Sequence, residues 1–378
     1  MQTEDILIQH PADLENLIEQ ALEKEAIAVD TEFFWERSYF PRLGLIQIAL
    51  SDEQCYLVDP LALKDLSPLG ELLSDRRVIK IFHDAPQDLA ILHQATGAAP
   101  QNIFDTRLAA GFAHLPATLS LSHLVKELLD IDLSKEETRT DWLHRPLSPA
   151  QLAYAQDDVR YLGAVRVLLL SRIIGPKIRS WLQEELNLLN NPASYIGTVD
   201  ALRYLRIRGT SSLNRRSMAI LRNLTIWREG MARKLDRPRG HILKDAILVN
   251  IAKNSPATME TLENHCGLSK NALSRYAVTV LAIVTTTLEQ PEDRLPTAPD
   301  AVRLNKTEKA ALLNLHKLID LKCGMLGIAP GLIGNSAELQ MLIKTMHGSA
   351  ALLPAGLRQT EGWRKCFLED FFSQSRQK

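Results

Sequence analysis

Cysteine is scarce in this chain: Cys55, Cys266, Cys323 and Cys366 are the four among 378 residues, far apart and without a C-x-x-C pair. That spacing writes neither a zinc knuckle nor a disulfide framework. No stretch approaches the roughly 18 uncharged apolar residues that a membrane helix needs. Met1–Pro11 carries Glu4 and Asp5 where a signal peptide would be basic and then apolar. The expected compartment is therefore the cytoplasm, with no membrane partner. A P-loop, G-x-x-x-x-G-K-[ST], is also missing, which excludes a helicase motor. Eighteen Gly and eighteen Pro are too few for a collagen-like or low-complexity chain. What remains, 46% hydrophobic and 24% charged, suits two or three ordinary globular domains.

The net charge of −1 hides an uneven distribution. Residues 1–175 hold 15 Lys and Arg against 27 Asp and Glu, residues 176–294 hold 18 against 11, and residues 295–378 hold 11 against 7. An acidic part followed by basic parts fits a carboxylate-rich metal site joined to modules that hold a polyanion, or chance surface composition.

Strand-like runs at Ala26–Thr31, Leu43–Leu50, Gln54–Asp59, Val78–Phe82 and Asn102–Phe104 occupy the first half, with helical stretches between the later ones. The close spacing of the first three implies antiparallel pairing, and the helices before the later ones imply a mixed sheet. From about Leu147 helical periodicity takes over, broken at Asn190–Pro192, Gly209–Leu213, Gln290–Pro299 and Gly327–Gly334. Glu289–Asp300, with Pro291, Pro296 and Pro299, reads as a linker between two helical segments of similar size.

Three places suggest chemistry. Ala26–Val29 is an apolar strand that runs into Asp30 and Glu32, and strand period two puts both carboxylates on one side. Two like charges in one small space invite a hard divalent ion. Alone, the pair reads sooner as a solvated strand end. In His83-Asp84-Ala85-Pro86-Gln87-Asp88-Leu89, Asp84 is placed as N-cap, Pro86 in the first turn and Asp88 at the positive end of a helix. Asp88 by itself is no more than a helix-dipole partner. Ser148 and Gln151 form a capping box with Pro149 at the first helical position. Tyr154 and Asp158 follow, four apart on one face, where a phenol stacked over a carboxylate holds a water against a bound metal, or the two simply pack.

Together, and in this order, the three motifs resemble the DEDD superfamily of 3′→5′ exonucleases, in the subgroup whose third motif is Tyr-x-x-x-Asp, and within it bacterial ribonuclease D. Tyr39–Ile48, Phe104-Asp105-Thr106 and Thr138–Leu147 resemble other characteristic stretches of that family. Residues about 213–290 resemble the helicase-and-RNase-D C-terminal (HRDC) domain, and 303–373 resemble a second, diverged copy.

The resemblance implies an α/β ribonuclease H-like domain, a mixed sheet with flanking helices, over 1–175. A helical connector (176–212) and two all-α HRDC-type domains (213–293 and 300–378) follow. It implies two Mg²⁺ or Mn²⁺ ions held by Asp30, Glu32, Asp88 and Asp158. Asp30 would bridge both, Glu32 and Asp158 would complete the nucleophile side, and Asp88 would support the other ion. Tyr154 would position the attacking water. The implied reaction is 3′→5′ exoribonucleolytic release of nucleoside 5′-monophosphates, with tRNA precursors as RNA partner and a monomeric enzyme. A DNA 3′→5′ exonuclease and a silent RNA-binding adaptor are the competing readings.

Eleven basic residues between Arg203 and Arg239, against only Glu229 and Asp236, have the density of a polyanion-binding surface. Arg203, Arg206, Arg208, Arg215, Arg216 and Arg222 are its candidate phosphate contacts. Tyr204 and Trp227 are candidate base-stacking groups, although Trp227 is better suited to a helical core.

Overall fold

The computed structural model describes residues 7–134, 137, 140–196, 200–210, 212–296, 304–348 and 356–375. Thr138 and Arg139 of the third family-like stretch, and residues 297–300 of the expected linker, lie outside these. The chain forms two compact units: Met1–Phe33 with Leu43–Ile196 and Leu304–Lys378, and Phe34–Arg42 with Gly197–Arg303.

The first unit begins with β1 (Leu7–Ile8), α1 (Pro11–Leu22), β2 (Ala26–Phe34), β3 (Arg42–Ala49), β4 (Cys55–Val58), α2 (Ser67–Ser74), β5 (Ile79–Phe82), α3 (Pro86–Thr96) and β6 (Ile103–Asp105). Helices α4 (Thr106–Phe112), α5 (Leu121–Leu129), α6 (Pro149–Arg160), α7 (Leu162–Arg172) and α8 (Pro176–Leu188) follow. The six strands form one sheet in the order β1-β4-β3-β2-β5-β6. Strands β3 and β4 pair antiparallel, whereas β1 with β4, β2 with β5 and β5 with β6 are parallel. This is the mixed sheet that the strand spacing implies. The two-residue β1 carries too short an apolar run to stand out in the sequence.

Alternation along β2 sorts its side chains between two cores. Ile27 and Val29 pack with residues of α1, α2 and α3, such as Leu17, Leu72 and Leu92. Ala28 belongs instead to the cluster with Ile81, Phe104, Val159 and Leu169. Asp30 and Glu32 continue the Ala28 face, where α6 arrives.

The same core extends into the C-terminal helices α15 (Lys306–Leu326), α16 (Ser336–Gly348), α17 (Gly362–Phe367) and α18 (Glu369–Ser375). The indole of Trp363 stacks on Trp181 of α8, with centroids 5.0 Å apart, and donates its N–H to Glu185 at 2.7 Å. Arg364, also buried, pairs with both oxygens of Glu185, its Nη2 at 2.9 Å. Helices α8 and α15–α18 therefore share one interior with the sheet.

The second unit contains α9 (Asp200–Arg203), α10 (Arg215–Lys234), α11 (Arg239–Ile242), α12 (Asp245–Asn254), α13 (Met259–His265) and α14 (Lys270–Leu288). Leu221 and Leu224 of α10 meet Leu248 and Ile251 of α12 and Val280 and Val284 of α14. Glu229 of α10 is fully buried. Around it stand Arg203 at 3.6 Å, Arg228 at 3.8 Å, Arg239 at 3.7 Å and the Tyr39 hydroxyl, which donates to it at 3.0 Å. Among the described residues, no helix is long and apolar enough to cross a membrane.

Candidate active site

Three carboxylates converge beside the second half of β2. Asp30, Glu32 and Asp158 each offer an oxygen, and these oxygens lie within 4.8 Å of one another. The first two arrive together because β2 continues past Thr31 to Phe34, so the period-two spacing survives to Glu32. Asp158 arrives on α6, whose start is fixed by Ser148 and Gln151: Ser148 Oγ accepts from the Gln151 N–H at 3.1 Å, and Gln151 returns the bond to the Ser148 N–H at 3.0 Å. Tyr154, one turn earlier, donates its hydroxyl to Asp158. Its ring is braced by Trp142, with centroids 6.0 Å apart.

Asp88 stands beside this trio, outside the 4.8 Å group. It occupies the first turn of α3 and accepts a 2.5 Å hydrogen bond from Thr31 Oγ1. Asp84 does not cap this helix. It adopts a left-handed conformation, φ 66°, and pairs with Arg107. The cap role in this region falls to buried Asp105, which accepts from the N–H groups of Asp84 (3.2 Å) and Ala85 (3.0 Å) and from Arg107 and Leu108 at the start of α4. One carboxylate thus fixes the turn that presents Asp88. An Asp followed by Thr at a strand end is a readable cap signal. Thr31 inside the first motif carries no sequence signal beyond its place.

The electrostatics are those of a site built for positive charge. Burial, with Asp88, Asp158 and Glu32 adding repulsion, holds Asp30 well above the usual carboxylate range. Burial and then Asp158 and Asp88 push Glu32 up to about 9. Burial raises Asp88 to about 7 against the opposing Thr31 hydrogen bond, and raises Asp158 to about 7 against the Tyr154 hydrogen bond. Hard oxygen donors that destabilise one another when ionised fit a hard divalent cation, which removes both penalties.

The candidate phosphate contacts fall into two groups. Arg206 and Arg208 are exposed, and Arg222 is half-buried on α10. Arg203 faces Glu229. Arg215 donates to the carbonyls of Glu292 (3.0 Å), Leu295 (3.2 Å) and Pro296 (3.3 Å), and Arg216 donates to those of Leu288 and Gln290. These two satisfy carbonyls at and beyond the end of α14. Tyr204 is a core residue, 6% exposed, and not a free stacking platform. Trp227 packs edge-on against Tyr276 at 5.4 Å.

Residues 6–174 match the family described as 3'-5' exonuclease, and residues 217–284 match the HRDC domain. Ribonuclease D of Desulfotalea psychrophila is 53% identical over 97% of this chain and 97% of its own length. The chain belongs to the ribonuclease D family. Ribonuclease D of Gluconacetobacter diazotrophicus is 34% identical over 97% of this chain and 91% of its own. The crystal structure of Escherichia coli RNase D, described as an exoribonuclease involved in structured RNA processing, superposes with a TM-score of 0.85 at 28% identity, covering 98% of each chain. A ribonuclease D is a 3′→5′ exoribonuclease, a hydrolase acting on RNA. The DNA-exonuclease and silent-adaptor readings are not favoured.

Proposed function

We propose that Asp30, Glu32, Asp88 and Asp158 hold two divalent cations, Mg²⁺ or Mn²⁺, and that the enzyme trims 3′ extensions of tRNA precursors as a cytoplasmic monomer. The observation that carries the cation reading is the meeting of three carboxylates within 4.8 Å, each raised by burial and by its neighbours. Bound ions would supply a hydroxide nucleophile at neutral pH and neutralise charge on the departing 3′ oxygen.

The protein's own groups do the positioning. Asp30 would be the ligand shared between the ions, Glu32 and Asp158 would complete the nucleophile side, and Asp88, tethered by Thr31, would support the other. Tyr154 orients the attacking water from its seat on Asp158. A phenol of pKa about 10 is too weakly acidic to be an efficient base at neutral pH, so orientation is its role. Hydrolysis at the last phosphodiester leaves a nucleoside 5′-monophosphate.

The HRDC-type segment 213–293, with Arg206, Arg208 and Arg222 on or near it, would grip the body of the RNA. The segment 300–378 is a diverged second copy, a reading supported by helices α15–α18 among its described residues. Unpaired cysteines suit a reducing compartment. The test is incubation of a 3′-extended tRNA precursor, and of a DNA of matched sequence, with Mg²⁺ or Mn²⁺. Stepwise loss of the RNA extension and sparing of the mature tRNA and the DNA is the predicted result. Equal digestion of RNA and DNA would refute the substrate assignment.

A further inference from the structure

The sheet face that bears Asp30 and Glu32 bears one more polar side chain with no part in the chemistry above. Gln47 lies on β3, next to β2 in the sheet. It is fully buried, and neither Nε2 nor Oε1 has a hydrogen-bond partner among the described residues. Its neighbours fix its side of the sheet. Ala49, two residues on, shares a core cluster with Ala28 of β2. Leu45, two residues back, packs with Trp142 and Leu57, and Leu57 is the antiparallel partner of Gln47 itself. Period two then puts Gln47 on the face of Ala28, Asp30 and Glu32, one strand away from them.

Leaving an amide buried and unpaired costs about 1–3 kcal/mol, a cost that an apolar side chain of the same size would avoid. A second donor in this layer is in the same condition. The indole N–H of Trp142 is buried without a partner among the described residues, and Trp142 lies against Leu45, Leu57 and Tyr154. Two donors without acceptors among the described residues therefore lie on the side of the sheet that carries a carboxylate cluster rich in acceptors. Water with two or more polar partners is the usual means of joining such groups when they are too far apart to bond directly.

We propose that Gln47 is a positioning residue for the cation site: its carboxamide N–H donates to a buried water, which donates in turn to the carboxylates of Asp30 and Glu32 and fixes their oxygens for an ion. This rests on the reading that those carboxylates bind a cation. Partners of this kind set ligand orientation, and their loss typically lowers metal affinity about 10–100-fold.

The experiment is Mn²⁺ binding, followed by the EPR signal of free Mn²⁺, to the full chain and to Gln47→Met, together with the melting temperature of each without cation. The prediction is at least tenfold weaker Mn²⁺ binding by the variant, with a cation-free melting temperature equal to or above that of the parent. Unchanged Mn²⁺ affinity beside a normal parent titration overturns the proposal for Gln47 alone. A parent protein that binds no Mn²⁺ overturns the cation reading itself. Gln47→Leu, read in the same way, covers a Met variant that fails to fold.

Discussion

Thr31 and Asp88 are joined by a 2.5 Å hydrogen bond, so the residue between the two carboxylates of the first motif holds the carboxylate of the second. Thr31 faces away from Asp30 and Glu32 by strand alternation, which lets β2 hold one carboxylate with its hydroxyl while presenting two others. Thr31→Val keeps the shape and removes the donor. Asp88 then loses the contact that opposes its burial, and kcat/KM should fall about tenfold, while Thr31→Ser should stay near the parent. Steady-state kinetics on a short RNA checks both.

Tyr154→Phe should lower kcat about 100-fold and leave Mn²⁺ affinity within a few-fold of the parent, because the phenol donates to Asp158 and, in the role proposed for it, orients the water without being a ligand. Asp30→Ala should abolish both turnover and Mn²⁺ binding. Parallel kinetics and Mn²⁺ titration distinguish the two variants.

The raised carboxylates set a pH dependence of stability. Unfolded, Asp and Glu ionise near pH 4. Folded and cation-free, Asp88 and Asp158 keep their protons to about 7 and Glu32 to about 9. The folded state therefore binds more protons, and the stability contributed by these groups is complete below pH 4 and lost as pH rises through 7 to 9. Cation-free Asp158→Asn should match the parent at pH 4 and melt about 2 °C or more above it at pH 8. Thermal melts with chelator at both pH values test the sign.

How much of this was legible beforehand differs by element. Five of the six strands, the capping box at Ser148, the shared side of Asp30 and Glu32 and the shared face of Tyr154 and Asp158 could be read, because each rests on local spacing: period two in β2, four residues from Tyr154 to Asp158. Asp84 was misread as a cap because cap preference is local, whereas the carboxylate that organises that turn, Asp105, comes from 21 residues away through the sheet. The arginines show the same limit. Charge density marks them all as phosphate contacts, yet burial of Glu229 and the carbonyls beyond α14 claim Arg203, Arg215 and Arg216 for the fold.

That division gives a prediction for the basic segment. Arg206→Ala and Arg208→Ala should weaken RNA binding and lower the slope of log affinity against log salt by about one between them or more, with no change in melting temperature. Arg215→Ala and Arg216→Ala should lower the melting temperature instead. Filter binding across a salt series, alongside thermal melts, separates the groups.

The shared core of the first unit makes the C-terminal helices part of the nuclease. Arg364→Ala leaves Glu185 buried without its ion-pair partner and should cost about 3–5 kcal/mol. A chain ending at Arg303 should fail to fold, since Trp181, Phe112 and Leu332 are packed in the same cluster. Denaturant unfolding followed by tryptophan fluorescence checks the substitution, and recovery of soluble, active 1–303 protein would contradict the account.

The most direct test of the whole is digestion of a 5′-labelled RNA with an unpaired 3′ tail, resolved to single nucleotides in Mg²⁺, in chelator, and with Asp30→Asn protein. The tail should shorten one nucleotide at a time in Mg²⁺ and remain intact in the other two. Degradation that continues undiminished in chelator, or with Asp30→Asn, would contradict the assignment of hydrolysis to cations held by these carboxylates.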